Sequence, residues 1–389
     1  MSALLQILYD KNVDALLIGN ANYRRYITGF LSSFGVYVLT KRQQYLFTDA
    51  RYAIAAKKYC KRQNIDLYIV KNIGEIYTFL KENSIEKISL PLDVTSAKEF
   101  QNLKLEGFSI SDCSKELSMC IAVKSAKELQ KIKLACKITE KSFLAVLPSL
   151  QEGVTELEIA GLLEYNMRKF GAENRAFESI VAFAENSAIP HHTSSTKVLK
   201  KGMPVLLDFG ASVDGYMADM TRSFLLQPQE NTFTNFYFKV HKLVCSAHRR
   251  AQNGVQIGSL ACNIDDLARA IFGQYAVNLY ALKKLQKNGN NFFDVDTLLL
   301  PNQQGLSKKY VKLESFFTHS LGHGLGVFIH QSPTLSKTSQ DILQENTVFT
   351  IEPGIYFEGL FGIRIENTLV LKNKAQSFMQ IKKNISKIE

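Results

Sequence analysis

The distribution of apolar and polar positions divides the chain into two parts with different patterns. In the N-terminal part, short apolar runs predict β-strands over residues 15–19, 35–40, 45–48 and 66–70. A helical pattern covers residues 50–62, between the third and the fourth of these runs. Strands that alternate with helices are typical of a small α/β domain.

The pattern changes near residue 123. Ser125 is followed three residues later by Glu128, a spacing typical of a capping box at a helix N-terminus. The helical pattern that follows runs to Leu147. We therefore expect an N-terminal domain over residues 1–122 and a second domain over residues 123–389.

The second domain begins with helical patterns and continues with strand-like ones. We predict helices over residues 156–170 and 267–285, with a polar loop around 288–291. Strands are predicted over residues 205–209, 216–225, 347–352 and 362–371. The chain is therefore expected to combine an α/β domain with a second domain of α+β or α/β class.

Composition and charge narrow the class of protein. Of the 389 residues, 46% are hydrophobic and 21% charged, which is typical of folded domains. The net charge is +11, but Lys and Arg are spread through amphipathic segments, so we expect no nucleic-acid partner. The sequence lacks both an 18-residue apolar stretch and a basic region before its first apolar run, so neither a membrane span nor a secretory signal is expected. The six cysteines form no CxxC pair, which favours reduced thiols and a cytoplasmic location.

Two acidic residues stand in strongly apolar, strand-like surroundings, where a carboxylate needs a partner or a cation. Asp208 lies in PVLLDFG and Asp219 in GYMADMTRS. Between them, Asp214-Gly215 is a strong signal for a two-residue hairpin turn. With that turn, Asp208 lies opposite Thr221, and Asp219 lies diagonally from Asp208 on the same face. The pattern predicts two converging carboxylates, which suits a pair of metal ions.

Three more ionisable residues lie in or beside similar runs: His323 in THSLGHGLG, Glu352 in FTIEPG and Glu366 in GIRIEN. A two-residue turn at Glu358-Gly359 would put the two glutamates on opposite faces, so a wider connection is needed for them to meet. Four carboxylates and one imidazole form a hard, oxygen-rich set that suits Mn²⁺, with Co²⁺ or Zn²⁺ as alternatives. Two divalent ions would balance the four negative charges and activate a bridging water.

Two further histidines lie where loops or strand ends are expected, His191 in SAIPHHT and His330 in GVFIHQSP. Beside metal ions that activate water, His can donate a proton to a leaving group and stabilise developing negative charge. His192 and His319 fit supporting positions around such a centre.

In their order along the chain, these residues resemble the pita-bread metallopeptidases of the aminopeptidase P and prolidase family. The matching segments are SAIPH (187–191), PVLLDFG (204–210), GYMADMTR (215–222), GHGLG (322–326), IEPG (351–354) and GIRIE (362–366). The N-terminal segments YITGF (26–30) and TDARY (48–52) resemble the non-catalytic domain of the same enzymes. The resemblance covers nearly the whole chain.

The resemblance implies a creatinase-like N-terminal domain and a pita-bread catalytic domain that hydrolyses peptide bonds to proline nitrogen. It implies that Asp208 is a bidentate ligand of one metal ion. Asp219 and Glu366 would bridge both ions. His323 and Glu352 would complete the coordination of the second.

Further roles follow from the same resemblance. His191 and His330 would contact the substrate carbonyl. Arg364 would form an ion pair beside the ligands, where Thr221 also lies, and Phe177 would line the pocket for the proline ring. The resemblance also implies a homodimer.

The chain departs from the family pattern at positions outside the ligand set. Many members have Glu-x-His-Glu where this chain has Phe328-Ile-His-Gln331, and Thr334 replaces a common Arg. Asn367 stands where Asp commonly follows the last glutamate, and the segment at about 283–315 is longer than usual. These differences leave the length of the substrate and the recognition of its ends open.

The preferred interpretation is an aminopeptidase P, which releases the first residue of peptides with proline second. The alternative is a prolidase, which cuts Xaa-Pro dipeptides, and an insertion that closes the proline side of the site would favour it. Creatinase-type enzymes lack the ligand set, and methionine aminopeptidases usually lack the N-terminal domain. A binding module on this fold that has lost catalysis is a remoter alternative, because such modules typically have broken ligand sets.

Overall fold

The computed structural model of the protein describes residues 2–288, 298–302, 307 and 309–388. It divides into two compact units, Met1–Ile121 and Ala122–Glu389. The expected domain boundary at residues 122 and 123 lies beside this division. Of the expected insertion, residues 289–297, 303–306 and 308 lie outside the described residues, as do residues 289–291 of the expected polar loop.

The N-terminal unit contains a mixed sheet of six strands. The strands are β1 Ala15–Ile18, β2 Val36–Thr40, β3 Gln44–Thr48, β4 Asp66–Ile69, β5 Lys87–Leu90 and β6 Ser109–Asp112. The helices are α1 Ser2–Asp10, α2 Ala21–Thr28, α3 Ala53–Gln63, α4 Ile73–Glu82, α5 Ala97–Leu105 and α6 Ser114–Ala122. The strand order is β4-β3-β2-β1-β5-β6, in which β2 runs antiparallel to its two neighbours and the other pairs are parallel. The α/β organisation predicted from the alternating pattern is confirmed.

Apolar residues of strands β1, β2, β3 and β5 form the core of the unit. Leu17, Val38, Phe47 and Ile88 are buried together against α4 and α5 residues. Burying a side chain of this size contributes about 1.5–3 kcal/mol, so the sheet interior carries much of the stability of this unit.

The C-terminal unit combines long helices with several small sheets. Its helices are α7 Ala126–Val146, α8 Glu156–Lys169, α9 Thr232–Gly254, α10 Ala261–Phe272 and α11 Leu279–Asn288. Its strands are β7 Asn174–Arg175, β8 Ile180–Phe183, β9 Pro204–Phe209, β10 Ala211–Val213, β11 Tyr216–Met217, β12 Met220–Leu226, β13 Tyr275–Asn278, β14 Leu299–Pro301, β15 Tyr310–Lys312, β16 Gly322–Gly324, β17 Gln331–Leu335, β18 Val348–Ile351, β19 Gly354–Phe357, β20 Phe361–Arg364, β21 Asn367–Leu371, β22 Ala375–Ser377 and β23 Lys387–Ile388. The sheets that carry the site have the orders β23-β12-β9-β8 and β17-β16-β18-β21-β22, with β19 and β20 paired separately. Within the described ranges, no helix has both the length and the apolarity needed to cross a membrane.

Capping boxes begin the first two helices of this unit. The backbone N–H of Ser125 donates to Glu128, and the N–H of Glu128 donates back to the Ser125 hydroxyl. Thr155 and Glu158 form the same pair of hydrogen bonds at the start of α8. The capping box predicted at Ser125 is therefore confirmed, and it fixes where the second unit enters its first helix.

The prediction of a single helix over residues 267–285 is wrong. The chain forms α10, then strand β13, then α11. Gly273 ends α10, and the Asn278 side chain accepts the N–H groups of Tyr280 and Ala281 to begin α11. Strand β13 is held between β14 and β15, which are distant in sequence, so its hydrogen bonds outweigh a local helical pattern.

The first hairpin of the site has the register predicted from the sequence. Asp214 and Gly215 form the turn with φ angles of 50° and 80°, as a two-residue hairpin turn requires. Farther along the ladder, Asp208 on β9 pairs with Thr221 on β12. Gly210 interrupts the first strand, where a Cβ would overlap the Ala218 carbonyl. The close approach of the two chains beside the carboxylates therefore requires glycine at this position.

The second hairpin keeps one register across a break in both of its strands. β18 pairs with β21 and β19 with β20, from Val348 opposite Val370 to Phe357 opposite Phe361. The turn consists of the three residues 358–360, which is wider than the two-residue turn considered above. Glu352 and Glu366 occupy equivalent positions at the break, so the connection brings them to the same place.

The core of the C-terminal unit packs helices against this second hairpin. Val244 of α9, Phe272 of α10 and Phe357 of β19 belong to one buried cluster. Leu299 and Leu313, within the expected insertion, are buried in the same cluster. These two residues of the expected insertion are therefore part of the core of this unit.

Candidate metal centre

The five residues predicted as metal ligands converge in the C-terminal unit. Asp208 lies near the end of β9, Asp219 precedes β12, His323 lies on β16, and Glu352 and Glu366 flank the break in the second hairpin. His323 Nε2 lies 3.3 Å from Glu352 Oε1 and 3.7 Å from Asp219 Oδ2. Ligand atoms of Asp219, His323 and Glu366 lie within 4.8 Å of one another. The hairpin registers therefore gather oxygen and nitrogen donors from distant parts of the sequence.

Three carboxylate oxygens in this group have unsatisfied hydrogen-bonding capacity. Asp208 Oδ1, Asp219 Oδ1 and Glu366 Oε1 are buried, and none has a hydrogen-bond partner among the described residues. Burying such an atom without a partner is costly, whereas a cation satisfies it directly. The oxygen-rich donor set therefore fits divalent metal ions.

Burial and neighbouring charges shift the pKa values of the clustered carboxylates in opposite directions. Burial, together with the charges of neighbouring carboxylates, raises the pKa of Asp219 and Glu366 well above the usual range. Burial would also raise the pKa of Glu352, but its hydrogen bond to His323 and nearby positive charges lower it to about 2. Burial opposes the charge on His323, yet the Glu352 carboxylate raises the pKa of that imidazole. Without a cation, the carboxylates of the cluster therefore cannot all remain ionised.

Arg364 is the principal protein partner of Asp208. Its Nη2 donates to Asp208 Oδ2 at 2.5 Å, and its Nε donates to Thr221 Oγ1 at 3.2 Å. The Thr221 hydroxyl in turn donates to Glu366 Oε2 at 2.6 Å. The arginine and the threonine, both buried, therefore fix one oxygen of each of these two carboxylates and leave the other oxygen free for a metal ion.

Tyr356 and His319 continue this network away from the ligands. Arg364 Nη1 donates to the Tyr356 hydroxyl, which lies 2.8 Å from His319 Nε2. His319 Nδ1 lies 2.8 Å from the Ser320 carbonyl oxygen, so Nδ1 carries the hydrogen and Nε2 accepts from the tyrosine. Burial lowers the pKa of His319, which agrees with this neutral tautomer. Tyr356 is absent from the sequence-based set, because one tyrosine in an apolar strand gives no local signal.

Threonines hold the backbone on either side of the ligands. Thr350 Oγ1 accepts the N–H of His323 and donates to Glu352 Oε1. Thr368 Oγ1 accepts the N–H of Asp219 and donates to its carbonyl oxygen. These contacts fix the backbone beside the ligands. Neither threonine was predicted from the sequence, in which the only local signal is the alternation of Thr350 with Glu352 along one strand.

The two histidines predicted to contact substrate lie at the edge of the centre. His191 and His330 are exposed, and the rings of His330 and His323 lie 4.4 Å apart, nearly perpendicular. Burial lowers the pKa of His330, and the charges of His323 and His191 contribute. Phe177 is half-buried between β7 and β8, and among the described residues it forms no ring contact with these histidines.

Glu156 holds the loop that carries His191. This buried glutamate accepts hydrogen bonds from the Phe183 N–H, the Asn186 side chain and both the N–H and hydroxyl of Ser195. Its Oε2 also lies 2.8 Å from Nε2 of His192. His192 thus contacts the glutamate that holds this loop, whereas the sequence pattern predicted that it would support the metal centre.

Comparisons with known proteins place both units in context. Residues 130–373 match metallopeptidase family M24, and residues 1–120 match the creatinase/prolidase N-terminal domain. The chain is 30% identical to an Xaa-Pro dipeptidase of Pyrococcus horikoshii, over 97% of this chain and 95% of that protein. The solved X-Pro aminopeptidase from Thermotoga maritima MSB8 is 31% identical with a TM-score of 0.81, covering 100% of this chain and 99% of that one. An Xaa-Pro dipeptidase structure from Bacillus anthracis has a TM-score of 0.83 and 27% identity, covering 100% of this chain and 98% of that one. The expected creatinase-like and pita-bread domains are thereby confirmed.

Proposed function

This chain belongs to metallopeptidase family M24, and we propose that it is an Xaa-Pro aminopeptidase, which releases the first residue of peptides with proline second. The observation that carries the proposal is the buried cluster in which Asp208, Asp219 and Glu366 each keep one oxygen without a protein partner among the described residues. Cleavage of Xaa-Pro dipeptides is the second candidate, and the names of the Pyrococcus and Bacillus relatives favour it.

Two divalent ions, with Mn²⁺ preferred over Co²⁺ or Zn²⁺, complete the proposed centre. Asp208 would hold one ion, His323 and Glu352 the other, and Asp219 and Glu366 would bridge them. Bound there, the ions would polarise the scissile carbonyl and lower the pKa of a water molecule towards neutrality. The carboxylate oxygens without a partner in the described part of the chain and the raised pKa values of Asp219 and Glu366 support this arrangement. A cation would bind these oxygens and would lower both pKa values.

The residues around the centre would orient the peptide and move its proton. His330 and His191 would donate hydrogen bonds to the carbonyl oxygen as it gains negative charge. The prolyl nitrogen must gain a proton as the bond breaks, and one of these two imidazoles would provide it. Arg364 would keep the Asp208 carboxylate in one orientation, and Phe177 would contact the proline ring.

The neutral residues near His330 support the aminopeptidase assignment. A prolidase must recognise the free carboxylate that follows its proline, which a cation does most strongly. Gln331 is neutral, and Thr334 uses its N–H to bond Asp341 Oδ2 at 2.8 Å. These positions therefore add no positive charge for a free carboxylate.

The test uses purified protein that has been stripped with chelator and then supplied with Mn²⁺. An Xaa-Pro dipeptide and an Xaa-Pro-Xaa tripeptide are offered in parallel, with an Xaa-Ala-Xaa tripeptide as the control for proline specificity. We expect metal-dependent release of the first residue from the proline tripeptide. Cleavage of the dipeptide alone would establish the second candidate, and cleavage of neither would contradict the proposal.

A matched pair of substitutions separates the ligand role from a general effect of removing an acid. Asp219→Asn changes a proposed bridging ligand, whereas Asp214→Asn changes an exposed turn residue in the same hairpin. We expect the first change to abolish metal-dependent cleavage and the second to leave it intact. Equal activity of both variants would remove Asp219 from the centre.

A homodimer in the cytoplasm is the remaining part of the proposal. The six cysteines are all free in the structure, which supports a reducing compartment. Light scattering on the purified chain tests the dimer, for which a monomer mass over a range of micromolar concentrations would be the contrary result.

A further inference from the structure

A buried ion pair on α10 lies apart from the ligands and was not singled out by the sequence pattern. Arg269 Nε donates to Asp265 Oδ2 at 2.5 Å, and its Nη2 lies 3.4 Å from Asp265 Oδ1. Asp265 is fully buried and Arg269 nearly so. Burying two charges carries a large desolvation penalty, so such a pair is weak evidence for a contribution to stability. Its other contacts identify what it holds.

The pair is bonded to the segment that leads into β16. Arg269 Nη2 donates to the His319 carbonyl at 2.9 Å, and Nη1 donates to the Phe317 carbonyl at 3.2 Å. The guanidinium also lies 4.2 Å from the centre of the Phe317 ring. Asp265 Oδ1 accepts the N–H of Leu321 at 3.1 Å. One rigid group on a helix thus fixes three backbone groups within five residues of chain.

From this segment, two short routes lead to the metal ligands. The carbonyl oxygen of Leu321 accepts the N–H of Glu352 at 2.8 Å, and His323 follows Leu321 by two residues. By the second route, His319 contacts Tyr356, whose hydroxyl receives Arg364, the partner of Asp208. The position of the segment therefore sets the position of ligands on two separate strands.

We infer that Asp265 and Arg269 are positioning residues for the metal centre, holding residues 317–321 so that His323, Glu352 and Asp208 are arranged for metal binding. The inference rests on the proposed metal centre. It assigns no contact with substrate or metal to either residue. Helix α10 therefore affects metal affinity, although it carries no ligand.

The test measures Mn²⁺ binding by calorimetry, so that it does not depend on catalysis. Arg269→Met and Asp265→Asn are compared with the wild-type chain after chelator treatment. Loss of residues that orient metal ligands typically weakens metal affinity 10–100-fold, and we expect a loss of about this size in both variants. Arg269→Lys keeps the charge but cannot bond the carboxylate and both carbonyls together, so it should fall between Arg269→Met and the wild type.

Controls with matched chemistry distinguish positioning from general destabilisation. Asp266→Asn changes the exposed neighbour of Asp265, and Arg249→Met removes an exposed arginine from α9. Leu163→Ala truncates a buried residue of α8 outside the cluster that contains Phe317 and Leu321, so it lowers the thermal midpoint by a change elsewhere in the core. All three should retain wild-type metal affinity. An equal loss of affinity in Leu163→Ala, or wild-type affinity in Arg269→Met, would overturn the inference.

Hydrogen exchange on the metal-free protein gives a second, local measurement. Faster exchange in a peptide spanning residues 317–323 is expected for Asp265→Asn and Arg269→Lys, with unchanged exchange in α7 and α8. Uniformly faster exchange would assign the pair a general structural role and overturn the inference. If the wild-type chain binds no Mn²⁺, the proposed centre itself fails. If the wild type binds and the variants bind equally well, only the inference fails.

Discussion

Replacing Thr221 by valine should weaken metal binding, although valine has nearly the same shape as threonine. The Thr221 hydroxyl donates to Glu366 Oε2 at 2.6 Å and accepts from Arg364 Nε at 3.2 Å. Because Glu366 Oε1 already has no partner among the described residues, the substitution leaves both oxygens of this carboxylate without a hydrogen bond. The arginine that holds Asp208 loses an acceptor at the same time.

The size of the effect follows from these two contacts. A hydrogen bond to a charged group contributes about 1.5–3 kcal/mol. For a unit of this size, that loss lowers the thermal midpoint by roughly 3–12 °C at 2–4 °C per kcal/mol. With Glu366 no longer restrained, Mn²⁺ affinity should fall about 10–100-fold.

The pH dependence of binding gives the sign of the electrostatic effect. The Thr221 hydrogen bond lowers the pKa of Glu366, against burial and the other carboxylates, which raise it. Removing the bond raises that pKa further, so more protein holds a proton on Glu366 at a given pH. Protons then compete more strongly with the metal, and the affinity of Thr221→Val should recover as the pH rises.

Calorimetry with Mn²⁺ at several pH values measures both quantities, and Thr139→Val is the matched control. Thr139 is buried in the same unit, and its hydroxyl donates to the Ala135 carbonyl and accepts from the Ala211 N–H. This control should lose stability without losing metal affinity. Wild-type affinity and an unchanged pH profile in Thr221→Val would refute the argument that this hydroxyl orients Glu366.

Three further predictions concern stability. Chelation should lower the thermal midpoint of the wild type by several degrees, because free metal at 100 times its dissociation constant stabilises by about 2.7 kcal/mol; an identical midpoint with and without Mn²⁺ would contradict the metal centre. Burial lowers the pKa of Lys124 to about 7. The unfolded chain therefore binds more protons than the folded one between pH 7 and about 10.5, so unfolding free energy should rise with pH in that window, and urea titrations should show a smaller rise for Lys124→Met. Gly362→Ala should destabilise the C-terminal unit strongly, since its Cβ would overlap the Ser187 carbonyl, whereas Gly161→Ala in α8 meets open space and should stabilise by up to about 1 kcal/mol in the same titration.

The first hairpin was predictable because its register depends on a local signal. Asp214-Gly215 adopts the positive φ angles that this turn requires, and strand periodicity then places Asp208 opposite Thr221. The convergence of Asp219 with Asp208 follows from the same count. Once the turn is identified, the two-residue period of a strand determines which side chains share a face.

The second hairpin was only partly predictable. Its strands were recognised from their apolar residues, but the three-residue turn and the shared break that bring Glu352 and Glu366 together depend on backbone geometry. The helix wrongly predicted over residues 267–285 failed for a related reason. The strand within it is stabilised by partners at residues 299–301 and 310–312, and no local pattern indicates such pairing.

The residues missed around the site share one property: their roles come from partners that are distant in sequence. Tyr356 acquires its role through His319 and Arg364. Asp265 and Arg269 do give a sequence signal, because they form a charged pair four residues apart on the otherwise apolar buried face of α10. Such a pair needs a partner in the interior, although the sequence does not say which.

The continuous register of the second hairpin has a consequence for how this chain can change by insertion and deletion. Surface turns usually tolerate changes in length. The turn at 358–360 could lose one residue and still close the Phe357–Phe361 pair with the two that remain. Removing one residue from β19 instead would move Glu352 by one position relative to Glu366 and turn its side chain towards the opposite face. The number of residues between each glutamate and the turn is therefore as tightly constrained as the identity of the acids themselves. Evolutionary relatives should vary the length of the turn more freely than the lengths of the two strands beside it.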